Sequence, residues 1–261
     1  MKRLIVLRGL KRSGNHALIS WLLGQHRFLF FNNVVKIAPI LRGEAERPEP
    51  SSFWEWLSRR YHTQRVPFHA QLSRIPMLGQ SLIVSLEDHE PNYQPFFDPD
   101  CRVTHVLLLR DPANMFASRI RKGAKSTNPA YPRTMNATMQ RVIDLWKAYA
   151  REFVGVTKLL PRKVCISFDH WFADVEYRRT LSGHLGLEFS DAGFARVTRY
   201  GGGSSFVGRQ YDSNARQMQV LERHKRLDAE EAALLKSVMS DPELLELDRQ
   251  VKAALLPTAA R

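Results

Sequence analysis

Residues 9–16 read Gly-Leu-Lys-Arg-Ser-Gly-Asn-His, and the interval from Gly9 to Gly14 is that of the phosphate-binding loop G-x-x-x-x-G-K-[ST]. The stretch lies between a short apolar run, Leu4–Leu7, and a helical pattern that puts Ala17, Leu18, Trp21 and Leu22 on one face. In that position the backbone N–H groups of a tight turn converge, and the positive end of the next helix adds to them, so an anion can be held. The lysine position of the loop holds Asn15 and the magnesium-ligating position holds His16, with positive charge displaced to Lys11 and Arg12. A nucleoside triphosphatase altered in this way lacks its γ-phosphate clamp and one metal ligand. The competing reading is a plain strand-to-helix turn with a chance pair of glycines.

A second candidate is Arg110 in Val-Leu-Leu-Leu-Arg-Asp-Pro, with Ser118 about two turns into the helix that follows. An arginine at the carboxyl end of a buried strand faces the crevice where α/β folds bind ligands, and its planar fork suits a phosphate. It could equally pair with Asp111 or another surface acid.

The elements that must position these residues are legible as apolar runs. Leu4–Leu7, Ser81–Leu86, Val103–Leu109 and Val164–Phe168 read as buried strands, with a further short strand within residues 28–40. Helices are expected over Phe53–Tyr61, after Asp111-Pro112, over Met135–Val154, over Tyr177–Leu185 with Gly186 as its stop, and over 213–225 and 228–239. Residues 41–52, 122–133 and 200–209 read as loops. Short continuous strands alternating with helices predict an α/β fold, a central, mainly parallel sheet flanked by helices, in one domain over residues 1–261.

The chain has 39 Lys and Arg against 26 Asp and Glu, a net charge of +13, which calls for an anionic ligand or partner or else a diffuse basic surface. The basic residues are scattered and form no compact recognition motif, which argues against a nucleic-acid-binding module. With 44% hydrophobic residues a large core can be buried, and the two cysteines exclude both a disulfide scaffold and a four-cysteine zinc module. No apolar run reaches the length of a membrane span, and Arg8, Lys11 and Arg12 interrupt the first apolar run too early for a signal peptide. A cytoplasmic, bacterial-type enzyme is the expectation.

Taken together the two motifs resemble the PAPS-dependent sulfotransferase family, whose phosphate loop is of the type [K/R]-S-G-T-T and whose later strand ends in R-[DN]-P ahead of a serine. Arg12-Ser13-Gly14-Asn15-His16 matches the first pattern, with both threonines replaced, and Arg110-Asp111-Pro112 with Ser118 matches the second. The stretch 168–187 resembles the family's strand, acidic turn, helix and LGL ending. The resemblance implies a P-loop NTPase-like sulfotransferase fold, with PAPS as donor, PAP as product and no metal ion. It implies that Lys11, Arg12, Ser13, Gly14, Asn15 and His16 hold the phosphosulfate, and that Arg110 and Ser118 hold the 3′-phosphate. The Gly201–Phe206 loop sits where the family closes a late loop over the nucleotide, so Ser204 and Ser205 join the cofactor-binding candidates, with Arg199 or Arg209 standing in for that loop's basic signature.

Sulfuryl transfer then needs an activated acceptor hydroxyl or amine and stabilised charge on the leaving phosphate. Arg12 takes the position of the family's catalytic lysine. Cytosolic members carry a base histidine in an H-x-P context, which His89-Glu90-Pro91 matches, other branches use a glutamate, for which Glu87 is the candidate, and His16, on the phosphate loop itself, is a third. Trp54, Trp56, Phe53 and Tyr61 line an acceptor pocket or pack the core. The acceptor, whether glycan, lipid, peptide or small molecule, is not named by the sequence. Two other readings stand beside this one: a P-loop nucleotide kinase or NTPase, and a sulfotransferase homologue that binds PAP without catalysis.

Overall fold

The computed structural model describes residues 3–31, 81–93, 103–197 and 203–255. The helix expected over Phe53–Tyr61 and its aromatic cluster, Asn32-Asn33, Arg199 and the first residues of the 201–206 loop lie outside the described residues.

Five strands, β1 (Leu4–Gly9), β2 (Phe28–Phe31), β3 (Ser81–Glu87), β4 (Val103–Leu109) and β5 (Lys163–Ser167), form one sheet in the order β2-β3-β1-β4-β5. Every pairing is parallel, with Leu7 beside Ser85 on one side and Val106 on the other. Parallel strands need helical crossovers, and both faces are covered. The alternation of side chains along β4 sends Val106 and Leu108 into one apolar cluster and Leu107 and Leu109 into the other, which is why the run is continuous rather than alternating. On the first side Trp21, Ile166 and Trp171 complete the core, and on the second Phe116, Trp146 and Val251 do so. Each such side chain contributes about 1.5–3 kcal/mol on burial.

The helices are α1 (Asn15–Gln25), α2 (Pro112–Ala124), α3 (Ala137–Phe153), α4 (Phe168–Ala173), α5 (Val175–His184), α6 (Ala229–Val238) and α7 (Pro242–Ala254). Asp111 caps α2 by accepting from Asn114 N–H at 2.9 Å, with Pro112 in the first turn. Two expectations are corrected. The helix expected over 213–225 is a pair of 3₁₀ segments, Ala215–Met218 and Val220–Arg226, broken where Gln219 adopts φ 47°. The chain also does not finish with a helix at 239: α7 follows, capped by Asp241 and started by Pro242 in the manner of α2. Among the described residues no helix is long and apolar enough to cross a membrane.

Because all five strands run the same way, their carboxyl ends meet at one edge of the sheet. From β1 the chain runs out to β2 and back to β3 on one side, then crosses to β4 and β5 on the other, and such a switch point opens a crevice outside the strand ends.

Candidate functional site

A cavity opens at that edge, and the residues just past four strands supply its wall: Arg12 and Gly14 after β1, Glu87 closing β3, Arg110 after β4 and Phe168 after β5. The loop after β1 bends through two left-handed residues, Arg12 at φ 74° and Gly14 at φ 96°. Gly14 has no alternative here, since a Cβ would lie 2.1 Å from the Phe168 ring. No side chain caps α1, so the positive end of the helix is presented to the cavity together with the turn.

Four arginines, Arg12, Arg110, Arg196 and Arg223, line the cavity together with one described carboxylate, Glu87. The rest of the wall is largely apolar, with Phe168, Phe172 and Phe194 on one side. Arg110 is buried, donates to Arg12 O at 3.0 Å and to Val220 O, and lies 4.8 Å from the centroid of the Phe168 ring. Burial pushes its guanidinium down to about 10; Asp169 and Asp111 offset part of this and Arg12 adds to it. Burial, and then the charges of Arg110 and Arg12, push Arg223 well below its ordinary value. The Nε atoms of Arg110 and Arg223 and the hydroxyl of Ser13 are buried without a hydrogen-bond partner among the described residues. Crowded, buried cations with spare donors are relieved by a bound anion.

No family model matches the chain, and no curated protein matches its sequence. Solved structures match its fold, two sulfotransferases among them. A sulfotransferase domain from the curacin biosynthetic pathway superposes with a TM-score of 0.51 at 11% identity, covering 92% of this chain and 98% of its own. The mouse sulfotransferase SULT7A1, complexed with PAP, gives a TM-score of 0.51 at 12% identity, covering 97% of this chain and 89% of its own. The chain has the sulfotransferase fold.

Within this sulfotransferase fold the residues singled out in the sequence divide into two groups. Arg12, Gly14, Asn15, His16, Glu87, Arg110 and Ser204 line the cavity. Lys11, Ser13, His89, Ser118 and Ser205 do not. Ser118 and Ser205 lie behind the wall, where Ser205 Oγ donates to Ser118 O at 2.7 Å and Arg223 Nη1 donates to Ser118 Oγ at 2.8 Å. Asn15 Nδ2 donates to Glu87 Oε1 at 2.9 Å, and Arg12 Nη2 donates to Gly203 O at 3.0 Å. His89 leaves the cavity because Asp88, at φ 61°, turns the chain; its ring stacks on Tyr93 at 4.6 Å, and burial holds it below the usual imidazole range.

Arg223, like Arg196 and the three phenylalanines of the wall, is a residue that sequence reasoning missed. It sits in Arg-His-Lys-Arg, at the end of the helix expected over 213–225, and its side chain is buried against Ser118 and 5.4 Å from the centroid of the Phe206 ring. Only the fold brings the late 3₁₀ segment back onto α2. The described residues hold no cluster of His, Cys, Asp and Glu that could bind a metal ion.

Proposed function

We propose that this chain is a sulfotransferase that moves a sulfuryl group from PAPS to a hydroxyl or amine acceptor. The observation that carries the reading is the cavity's composition: four guanidinium groups and a phosphate-type loop against one carboxylate, beside an aromatic wall. A ligand that fits has several negative charges and a flat ring, which describes a nucleotide with more than one phosphate. PAP, bound in one of the structural neighbours, is such a ligand.

In this reading Arg12 and the N–H groups of the turn hold the phosphosulfate. Arg12 also stabilises the charge that builds on the phosphate oxygen as its bond to sulfur breaks. Arg110 takes the 3′-phosphate, with Arg223 and Ser118 behind it, and Phe168, Phe172 and Phe194 pack the base. Glu87 removes the acceptor's proton as its oxygen or nitrogen bonds to sulfur, and PAP departs with the electron pair. Glu87 is preferred to His89 as the base because it lies in the cavity wall, and a base must reach the proton it removes.

A thermal-shift titration with PAP, AMP and ATP with Mg²⁺ tests the reading. PAP is expected to raise the melting temperature by mass action, by the equivalent of about 2.7 kcal/mol at 100-fold excess over Kd, and AMP by less. A shift with ATP and Mg²⁺ and none with PAP would overturn it. PAP binding without turnover of PAPS by any acceptor would leave a nucleotide-binding homologue.

A further inference from the structure

Asp88 follows Glu87 directly, is buried and takes the left-handed backbone that turns the chain out of β3. Its carboxylate accepts the Lys11 N–H at 2.9 Å and both ends of the Arg119 fork, at 3.1 Å from Nη1 and 2.5 Å from Nη2. Arg119 Nη1 also donates to Lys11 O at 3.2 Å, so both hydrogen-bonding groups of the Lys11 backbone are tied to this one ion pair. The Asp88 N–H donates to Gly9 O at 3.2 Å, and Arg141 Nη2 donates to Asp88 O at 3.2 Å. Lys11 immediately precedes the strained Arg12, whose carbonyl is held from the other side by Arg110 Nη1 at 3.0 Å.

The pair is nearly sealed from water, with Arg119 1% exposed and Asp88 9% at the side chain. An ion pair so buried is a poor source of stability compared with apolar side chains of the same volume. It lies outside the cavity wall, so it does not touch a ligand there. What it does reach is the backbone just before the residue that the proposed chemistry uses first.

We propose that Asp88 and Arg119 are a positioning pair that fixes the Lys11–Arg12 backbone, and so the aim of the Arg12 side chain and of the turn's N–H groups at an anion in the cavity. The inference deepens the functional reading above and rests on it for the identity of the anion. Adjacent helix residues project in different directions, so α2 serves both tasks: Ser118 meets Arg223 and Arg119 meets Asp88.

The test uses the full chain with Asp88→Asn, Arg119→Gln and the double variant, and reads melting temperature, PAP affinity and amide hydrogen exchange. Each single variant is expected to melt lower, because it strands a buried charge, and the double variant to recover most of that loss. In the double variant PAP affinity is expected to stay at least tenfold weaker, and exchange at Lys11, Ser13 and the amide of position 88 at least tenfold faster, with the rest of the sheet unchanged. If these variants do not fold, Arg119→Lys, which keeps the charge, is expected to keep the melting temperature and to loosen exchange at Lys11 alone. A recovered double variant with wild-type affinity and loop exchange overturns the proposal, as does faster exchange spread evenly over the sheet. If the wild-type chain does not bind PAP, the functional reading fails, and loop exchange still decides this one.

Discussion

Asn15 ties the phosphate-type loop to the strand beside it: its Nδ2 donates to Glu87 Oε1 at 2.9 Å and to Leu10 O at 3.0 Å. The position that carries a lysine in a nucleoside triphosphatase loop here orients a carboxylate instead. Its Oδ1 lies against Gly9, where a Cβ would come within 2.3 Å, so this amide can sit here only beside a glycine. Glu87→Gln is expected to lower the single-turnover rate of transfer from PAPS by roughly 10²–10⁴, the usual worth of a general base, with PAP affinity nearly unchanged. Asn15→Leu removes the donor that aims Glu87 and is expected to cost about tenfold in the same assay. Wild-type turnover by Glu87→Gln would sink the assignment, and a loss confined to His89→Ala would move the base to the H-x-P histidine.

Arg110 is expected to be the residue whose loss most weakens PAP. Charge-assisted hydrogen bonds to a phosphate are worth about 1.5–3 kcal/mol, which corresponds to roughly 10–150-fold in affinity. Arg110→Lys retains a positive charge but not the fork that bonds Arg12 O and Val220 O, so the loop and the late 3₁₀ segment lose their shared anchor. Calorimetric titration with PAP checks this, and equal affinity in Arg110→Lys would show that a point charge suffices.

Gly14 admits a test of the loop's shape. Alanine there would hold a residue at φ 96° and place a methyl 2.1 Å from Phe168 Cε2, so strain and overpacking act together. Each is worth about 1–3 kcal/mol, and the sum is a large share of a typical domain's stability. Denaturant unfolding of Gly14→Ala is expected to show a loss of several kcal/mol. If the variant is as stable as the wild type, Phe168 has another place to go and the packing argument fails.

The four strands that build the cavity edge were legible because each is a short, largely apolar run closed by Gly9, Asp88, Arg110 or the start of α4, and a sheet buried on both faces favours such runs. Arg12 and Arg110 were legible because loop spacing and a strand's end fix their place locally. His89 and Glu87 were not separable in one dimension: two residues apart on a strand they would share a face, but the left-handed turn at Asp88 breaks the alternation between them. Ser118 shows the opposite limit. Its spacing from Arg110 was visible, whereas the partner that buries it, Arg223, comes from a segment that reads as one helix over 213–225 and is two 3₁₀ pieces with an αL break at Gln219. The final helix carried the same Asp-Pro start as α2 and was readable by the same rule.

Acid should destabilise this protein through a group remote from the cavity. His105 lies buried on β4, where its Nδ1 accepts from Arg8 Nε at 3.5 Å, so the ring is neutral in the folded chain. Burial, then the charges of Arg8 and Arg162, push it down from 6.5 to about 4. The folded pKa is below the unfolded one, so between about pH 6.5 and 4 the unfolded chain binds the extra proton and stability falls as the pH falls. The full shift corresponds to about 3 kcal/mol, all of it lost by the time the pH reaches the folded pKa. His89, lowered by burial, acts in the same direction, and Asp169, raised by burial, acts in the opposite one. The difference between wild type and His105→Gln therefore isolates the one group, since glutamine keeps an acceptor for Arg8 and does not titrate. Urea unfolding at pH 7, 5.5 and 4 is expected to show the wild type losing stability over this range by about 2–3 kcal/mol more than the variant. Parallel pH profiles for the two would mean that His105 takes up its proton as readily in the folded chain as in the unfolded one.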